Sequence, residues 1–464
     1  MTYNNIDSLQ LGSLLQIVFS NGVRNQISQD FRDFDMIKRA RVKDSLAREL
    51  RFMFQSSYGP SAIQYRDPGT SGRSFPSASQ SDISEKTAKF KEINATIELE
   101  YNLWDRARKS PEKYAEPLAL EIMSKSSAAK RRIAADLYGD GTGVVGTVVA
   151  SGDPAAVTSP ASSNLVFTLS SANAARGHVG FFEFGDILLL KTAAGSTSAL
   201  NTSLATEPAY WKVIDKSRED NTVTLQGLDS SLVAVASITS ISVQPANTDV
   251  FYRYGQPTIP DLTSAIADYG TATEVMAGLE SLAADDGRVI HGITMSGATA
   301  GSRYDAGANP IDVKYIQRNL DKTKLLVGKD RYKYKMMIAA PETQASLIEG
   351  RETDRRFVTV TDNKRGVNFF AYQHASDTLE FEGSEYCPQK RLYMLPEAKS
   401  SEKVLEFWGS DFETVKGPNM SDFHLKPASG GGFVNTVVSY LQSTGVIICN
   451  HPAAIAVVEN FTNA

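Results

Sequence analysis

Between Ile93 and Leu103 apolar and polar side chains alternate without a break: Ile93, Ala95, Ile97, Leu99, Tyr101 and Leu103 are apolar, and Asn94, Thr96, Glu98, Glu100 and Asn102 are polar. That two-residue period predicts a half-buried strand. Counted from Ala88 to Trp104 it would reach about 50 Å at about 3.3 Å per residue, where a usual strand has about 5 to 6 residues. Upstream, Ala62-Ile63-Gln64-Tyr65-Arg66 can run back along it, and the stretch from Asp67 to Asp82 is largely Gly, Ser and Pro, as a turn region requires. Together they predict an extended hairpin. A lone two-stranded hairpin is marginal in water and its edges invite pairing, so the expectation includes a neighbouring subunit for it to lie on.

From 110 to 138 the period becomes helical. Pro111 and Pro117 suit a first turn, with Ser110 as a cap for the earlier start. Leu118, Ile122, Ala129, Ile133 and Leu137 form one stripe, while Lys125, Lys130, Arg131 and Arg132 lie off it or toward its end. Leu137-Tyr138-Gly139-Asp140-Gly141-Thr142-Gly143 stops the helix, with Gly139 expected to take the left-handed closing conformation. Before the hairpin, Val42, Leu46, Leu50 and Met53 predict helical parts in an N-terminal arm.

Between Val144 and Asp249 charge becomes sparse and short strands recur, at Asn164 to Leu169, Asp186 to Lys191, Tyr210 to Asp215, Thr222 to Leu225 and Ile238 to Val243. This spacing predicts a small inserted barrel or sandwich. Beyond it, helices are expected at Thr273 to Ala284, Asp312 to Val327 and Pro341 to Glu349. Strands are expected at Met336 to Ala339, Phe357 to Val360, Val367 to Tyr372, Leu379 to Phe381, Leu392 to Leu395 and Val404 to Trp408. Phe433 to Leu441, Gly445 to Cys449 and Ala453 to Val458 read as buried sheet.

Composition narrows the function. The chain has 464 residues, 42% hydrophobic and 22% charged, which is ordinary for a globular protein of two or three domains. A net charge of −5 argues against gripping nucleic acid by its phosphates. No apolar run approaches the roughly 18 residues of a membrane span, and Leu9 to Phe19, with no cation before Arg24, does not resemble a secretory signal, so synthesis in the cytosol is expected. Two cysteines, Cys387 and Cys449, predict reduced, packed thiols.

Candidate chemistry is sparse. The Gly139 to Gly143 loop closes a helix, whereas a dinucleotide loop opens one, and the Lys-Ser/Thr of a P-loop is missing. The five histidines, His178, His291, His374, His424 and His451, show no zinc-site spacing. Ser421-Asp422-Phe423-His424 holds the residue types of a hydrolase triad, but triads are assembled by tertiary geometry. Asp285-Asp286-Gly287 lacks the further ligands of a calcium loop and reads as a turn. No catalytic residue, cofactor site or metal site is expected. Arg351, Arg355 and Arg356, interleaved with Glu349, Glu352 and Asp354, read either as a solvated helix end or as an inter-subunit salt network.

The order of these parts resembles the major capsid proteins of tailed bacteriophages, with the Hong Kong ninety-seven fold. The likeness runs through Leu137-Tyr138-Gly139-Asp140-Gly141-Thr142-Gly143, Met276-Ala277-Gly278-Leu279-Glu280, Arg355-Arg356-Phe357-Val358, Gly366-Val367, Leu379-Glu380-Phe381-Glu382-Gly383, Cys387-Pro388 and Arg391-Leu392-Tyr393-Met394-Leu395. The resemblance implies an α+β, Hong Kong ninety-seven-like capsid fold with an inserted all-β domain. Its divisions would be an N-terminal arm at 1–55, an E-loop hairpin at 56–105, a P-domain spine helix at 106–143, the insert at 144–250, an A-domain and remainder of the P-domain at 251–400, and C-terminal strands completing the core at 401–464.

The implied function is a non-enzymatic structural protein that self-assembles into hexamers and pentamers of an icosahedral shell enclosing double-stranded DNA without strong specific binding. Such a shell is assembled in the host bacterial cytoplasm and ends as the virion capsid, with no membrane. No long charged helical preface precedes the arm, so a separate scaffolding protein is expected, with a portal and a decoration protein as further partners. Arg66, Lys86, Lys89, Lys91, Arg351, Arg355 and Arg356 are the candidate inter-subunit contacts. The alternative is an intracellular enzyme of unknown class with a β-domain insertion. Some members of the family cross-link an E-loop Lys to a neighbour's Asn with a Glu as base, but the sequence identifies no Asn and Glu to pair with Lys86, Lys89 or Lys91. Mature particles are therefore expected to give one band of the subunit's mass on denaturing gels; SDS-resistant ladders would contradict this.

Overall fold

A single strand of 17 residues, Phe433–Cys449, organises the body of the molecule. The computed structural model describes residues 38–41, 48–57, 82–101, 117–149, 164–170, 177–192, 208–235, 249–256, 266–296, 301–328, 331–349, 371–374, 377–398, 404–409, 413–414, 424–427 and 433–463. One edge of the long strand pairs antiparallel with Lys91–Glu100, from Gly445↔Lys91 to Thr436↔Glu100. Its other edge takes three strands in succession: Leu405–Gly409, Glu413–Thr414 and His424–Pro427. Lys38–Arg41 adds in parallel to Leu405–Gly409. The two C-terminal strands expected from sequence are one, because Glu92, Ile93 and Asn94 pair straight across Thr444, Ser443 and Gln442.

The alternation that predicted one strand from Ala88 to Trp104 is divided at Phe90. Asp82–Lys89 pairs with Glu49–Ser57 as a separate two-stranded hairpin, and Lys91–Glu100 turns into the central sheet. The expected return strand at 62–66 lies outside the described residues. The segment expected to carry a helical stripe through Leu50 and Met53 is instead the strand Glu49–Ser57. Leu50, Phe52 and Phe54 alternate with Arg51, Met53 and Gln55, and that two-residue period won over the four-residue spacing.

Helix α1, Pro117–Asp136, starts at one of the two expected prolines and packs on Lys91–Glu100. Ala129, Ile133 and Leu137 on its stripe are buried. Its exit differs from expectation: the left-handed residues are Gly141 and Gly143, at φ 80° and 79°, and not Gly139. The loop is stitched to residues 274–279, where the N–H groups of Glu274 and Val275 donate to Gly141 O and those of Gly278 and Leu279 donate to Gly139 O and Leu137 O. With those donors committed sideways, the helix expected at Thr273 to Ala284 shrinks to one turn, α2, Leu279–Leu282.

The segment after the loop forms a closed antiparallel barrel. Its strands run in the order Val144–Thr147, Val250–Arg253, Ile187–Lys191, Tyr210–Ser217, Thr222–Leu228 and Asn164–Thr168. Val148 bridges Leu169 to join the last strand to the first; Val149 N–H donates to Thr168 O at 3.0 Å and Ser170 N–H to Thr147 O at 2.8 Å. Closure removes the sheet's free edges. Inside, Phe167 stands edge-on to both Trp211 and Phe251, at 5.1 and 5.3 Å.

A second six-stranded sheet runs in the order Arg303–Asp305, Ala456–Glu459, Arg391–Ala398, Tyr332–Ala339, Asp377–Gly383 and Ala371–His374. Helices α3, Val313–Val327, and α4, Pro341–Glu349, pack on it, with Ile316 and Leu320 of α3 fully buried. Asp312 caps α3 as expected, accepting from Lys314 N–H at 3.2 Å. The fold is therefore α+β with an inserted β-barrel. Replacing Phe167 with Ala should cost about 3–5 kcal/mol in urea unfolding, while Val166→Ala beside it on the barrel's outer surface should change stability by no more than about 0.5 kcal/mol.

Candidate functional site

The hairpin of Glu49–Ser57 and Asp82–Lys89 has two unlike faces, because opposed residues of an antiparallel pair share a side. Leu50, Phe52 and Ala88 point inward and, with Phe90, cover Val446, Ile448 and Trp408 at one end of the central sheet. The outer face carries Glu49, Arg51, Met53, Ile83, Glu85 and Lys89. Met53 is 74% exposed and Ile83 59%, so both apolar side chains face solvent in a single copy. Arg51 lies 3.5 Å from Glu85 and 3.7 Å from Glu49, pairs exposed enough to contribute little. Among the described residues the hairpin acquires no third strand.

Its base rests on a tight turn. Val289–Ile290 and Ile293–Thr294 form a small hairpin whose two turn residues, His291 and Gly292, have φ of 50° and 73°. The edge of Phe52 meets the His291 ring at 5.3 Å, and Lys86 Nζ donates to Gly292 O at 3.3 Å. Lys89 N–H donates to Gly270 O at 3.1 Å.

The residues singled out from sequence fall in different places. Lys86 and Lys89 stand on the hairpin as expected, although Lys86 bonds within its own chain. Lys91 lies past the hairpin, donating from Nζ to Thr273 O, and burial lowers its pKa against the pull of Glu274. Arg66, Arg351, Arg355 and Arg356 lie outside the described residues, as do Ser421, Asp422 and Phe423. Asp285 turns back to Arg288 at 3.3 Å, and Gly287 at φ 77° makes the turn. Cys387 and Cys449 are buried free thiols, and burial pushes Cys449 up to about 12.

Sequence reasoning missed the buried ion pairs. Glu280 of α2 meets Arg303 at 2.8 Å and receives the Tyr393 hydroxyl at 2.7 Å, while Glu459 meets Arg303 at 3.0 Å and Arg391 at 2.6 Å. Burial alone would raise Glu280, but the two guanidiniums and Tyr393 hold its carboxyl below the usual range. A second set ties the barrel to its surroundings. Arg131 of α1 pairs with Glu183 and Arg218 with Glu342 of α4 at 2.9 Å, while Arg253 pairs with Asp186 within the barrel at 2.7 Å. Asp136, at the end of α1, is raised by burial and pulled down by Arg132 and Arg253; burial lowers Arg132 to about 10. Such networks are not legible in sequence, because their members lie far apart along the chain.

The glycine loop has no room for an anion. Asp140 takes the Thr142 N–H at 3.0 Å, and a Cβ at Gly141 would come within 2.6 Å of Thr273 Cγ2. Among the described residues no group of three or more His, Cys, Asp or Glu is placed to hold a metal ion, and no helix is long and apolar enough to cross a membrane. What this surface offers is an amphipathic hairpin attached by its base.

No family model and no curated protein matches the chain. It is similar to solved shell proteins over nearly its whole length. The capsid asymmetric unit of cyanophage A-1(L) is 9% identical, with 98% of this chain and 99% of that one covered and a TM-score of 0.47. The capsid of an empty GTA particle is 8% identical, with full coverage of both chains and a TM-score of 0.46. The SrpI encapsulin of Synechococcus elongatus PCC 7942 is 10% identical, with 98% and 96% covered and a TM-score of 0.41. At such identities and scores the likeness assigns no activity.

Two buried histidines make stability depend on pH. Burial, with Arg218 nearby, lowers His178 to about 3, and burial lowers His291 to about 4 against the pull of Asp268. His178 is held neutral, with Nδ1 accepting from Gly180 N–H at 3.0 Å and Nε2 bonded to Tyr386 O at 2.9 Å. A depressed histidine contributes stability that is complete above the unfolded pKa of about 6.5 and is lost as pH falls toward the folded value. The melting temperature should therefore fall as pH drops from about 6.5 to about 4.5, before depressed carboxylates such as Glu280 titrate. His178→Gln should flatten that slope in a thermal scan series.

Proposed function

We propose that this chain is the building block of a closed protein shell, the major capsid protein of a tailed bacteriophage, and that the hairpin is its assembly arm. The observation that carries the reading is the hairpin itself: attached by its base, with Met53 and Ile83 facing solvent and no third strand among the described residues. A chain with cores this extensive has no need of such an arm for its own folding. A second copy would bury Met53 and Ile83, and a patch that docks elsewhere on an identical chain generates rings or larger assemblies. The collinear resemblance read from sequence supports the same conclusion.

On this reading the copies form hexamers and pentamers of an icosahedral shell around double-stranded DNA. The body is a rigid block, braced by buried ion pairs, and many modest interfaces sum to a stable particle. A net charge of −5 suits a wall that touches DNA without gripping it. A separate scaffolding protein, a portal and a decoration protein complete the proposed partners, with assembly in the bacterial cytoplasm. The barrel, closed on itself, contributes side-chain surface to the shell and no strand edge.

The test is negative-stain imaging of the purified chain under assembly conditions and of nuclease-treated particles from producing cells. Shells with nuclease-protected double-stranded DNA are expected; discrete monomers or dimers under all conditions would overturn the assembly reading, and shells devoid of DNA would overturn the viral one. The double variant Met53→Asp/Ile83→Asp should melt within a few degrees of the parent and fail to form stable shells. Normal shells from that variant would show that the hairpin is not the arm.

A further inference from the structure

His291 carries three unfavourable features at one point. It has a left-handed backbone, at φ 50°, in a turn whose geometry suits Asn or Gly. Its ring is buried, and Nε2 accepts from Cys449 N–H at 3.3 Å, so the proton of the neutral ring sits on Nδ1. Nδ1 has no hydrogen-bond partner, and the chain closes over it so tightly that a Cβ at Gly270 would come 2.5 Å away. Strain and an orphaned buried donor persist only where surrounding structure enforces them, and here the enforcing contact includes Phe52 of the hairpin.

We propose that the His291–Gly292 turn is a release joint for the hairpin, which lifts as a unit about Phe90 while the central sheet and barrel stay folded. Lifting removes Phe52 from the ring and Lys86 from the turn, which opens that side of the imidazole to water. Among the described residues the contacts to be given up are the Phe52–His291 ring contact, the Lys86 Nζ bond to Gly292 O, the Lys89 N–H bond to Gly270 O, and the apolar seat at Val446, Ile448 and Trp408. The hinge lies where the two-residue period changes phase, since Ala88 and Phe90 are even-numbered inward residues and Ile93, Ala95 and Ile97 are odd.

The joint is acid-sensitive. The ionisable groups around His291 are Asp268 from the preceding loop, Lys86 from the hairpin and the Cys449 thiol from the long strand. Asp268 is already committed, accepting from Gly270 N–H and the Thr271 hydroxyl, both at 2.9 Å. Protonating the seated ring would also cost its acceptance of the Cys449 N–H. The lifted hairpin therefore takes the proton more readily than the seated one.

The inference concerns one copy of the chain and is measured on unassembled subunits, so its failure and the failure of the shell reading are separable. Hydrogen exchange, corrected for intrinsic rates, is followed in peptides spanning Arg48–Ser57 and Asp82–Phe90, with barrel peptides as reference. With His291 at about 4 when seated and about 6.5 when lifted, opening of the hairpin should increase roughly thirtyfold between pH 7.5 and pH 5. Barrel peptides should not follow. His291→Asn, which gives the turn its preferred Asn-Gly pair, should keep the fold and abolish the pH dependence. Hairpin exchange independent of pH in the parent, or hairpin and barrel opening in parallel, would overturn the proposal whether or not the variant folds.

Discussion

The long strand Phe433–Cys449 must have both of its edges filled, and the rest of the body follows from that requirement. A buried backbone donor or acceptor left unpaired costs about 1–3 kcal/mol, so a mostly buried strand of 17 residues cannot stand at an open edge. Lys91–Glu100 fills one edge and three short strands fill the other. The ladder brings residue 91 beside residue 445, a closure whose entropic cost grows only slowly with loop length. It also fixes where the chain can go on either side. Helix α1 returns across Lys91–Glu100, and the hairpin that precedes Lys91 is sent over Val446 and Ile448 at the end of the sheet. The direction of the hairpin is thus a consequence of the core.

Charge plays the complementary part. Glu280, Arg303, Arg391 and Glu459 come from four separated segments and meet where α2 touches the second sheet. Buried ion pairs of this kind add little net stability over apolar packing, but breaking one leaves a charge stranded, which penalises other arrangements of the same elements. Arg131 with Glu183 and Arg218 with Glu342 do the same for the barrel. The result is a block with few ways to rearrange, carrying one element, the hairpin, attached by a small seat.

Much of this was legible in the sequence, and each error has an identifiable physical cause. The alternation from Ile93, Pro117 at the start of α1, Asp312 before α3 and Pro341 at the start of α4 are signals set by neighbours a few residues away, and the structure agrees with them. The hairpin partner was misread because Leu50 and Met53 also fit a helical spacing, and only Glu49–Ser57 lying against Asp82–Lys89 decides between the periods. The break at Phe90 coincides with a change of phase, but the phase alone does not say that the strand leaves one sheet for another. The helix expected from Thr273 failed because Gly139 and Gly141 offer acceptors from far away in sequence, which no local propensity contains. Of the residues singled out from sequence, Lys86 and Lys89 lie on Asp82–Lys89, whereas the exposure of Met53 and Ile83 is evident only once the inward face is known.

Sequence by itself determined the elements with strong local periodicity and the run of short strands after the glycine loop, because these depend on spacings of two to four residues and on residue type. Tertiary structure alone decided that the barrel closes through Val148 and Leu169, that Phe433–Cys449 is one strand, and that the strand expected to run from Ala88 is divided between a separate hairpin and the central sheet. Those outcomes rest on backbone hydrogen bonds between segments far apart in sequence. Their partners are chosen by which edges remain open after the rest of the chain has packed, and no local window of residues carries that information.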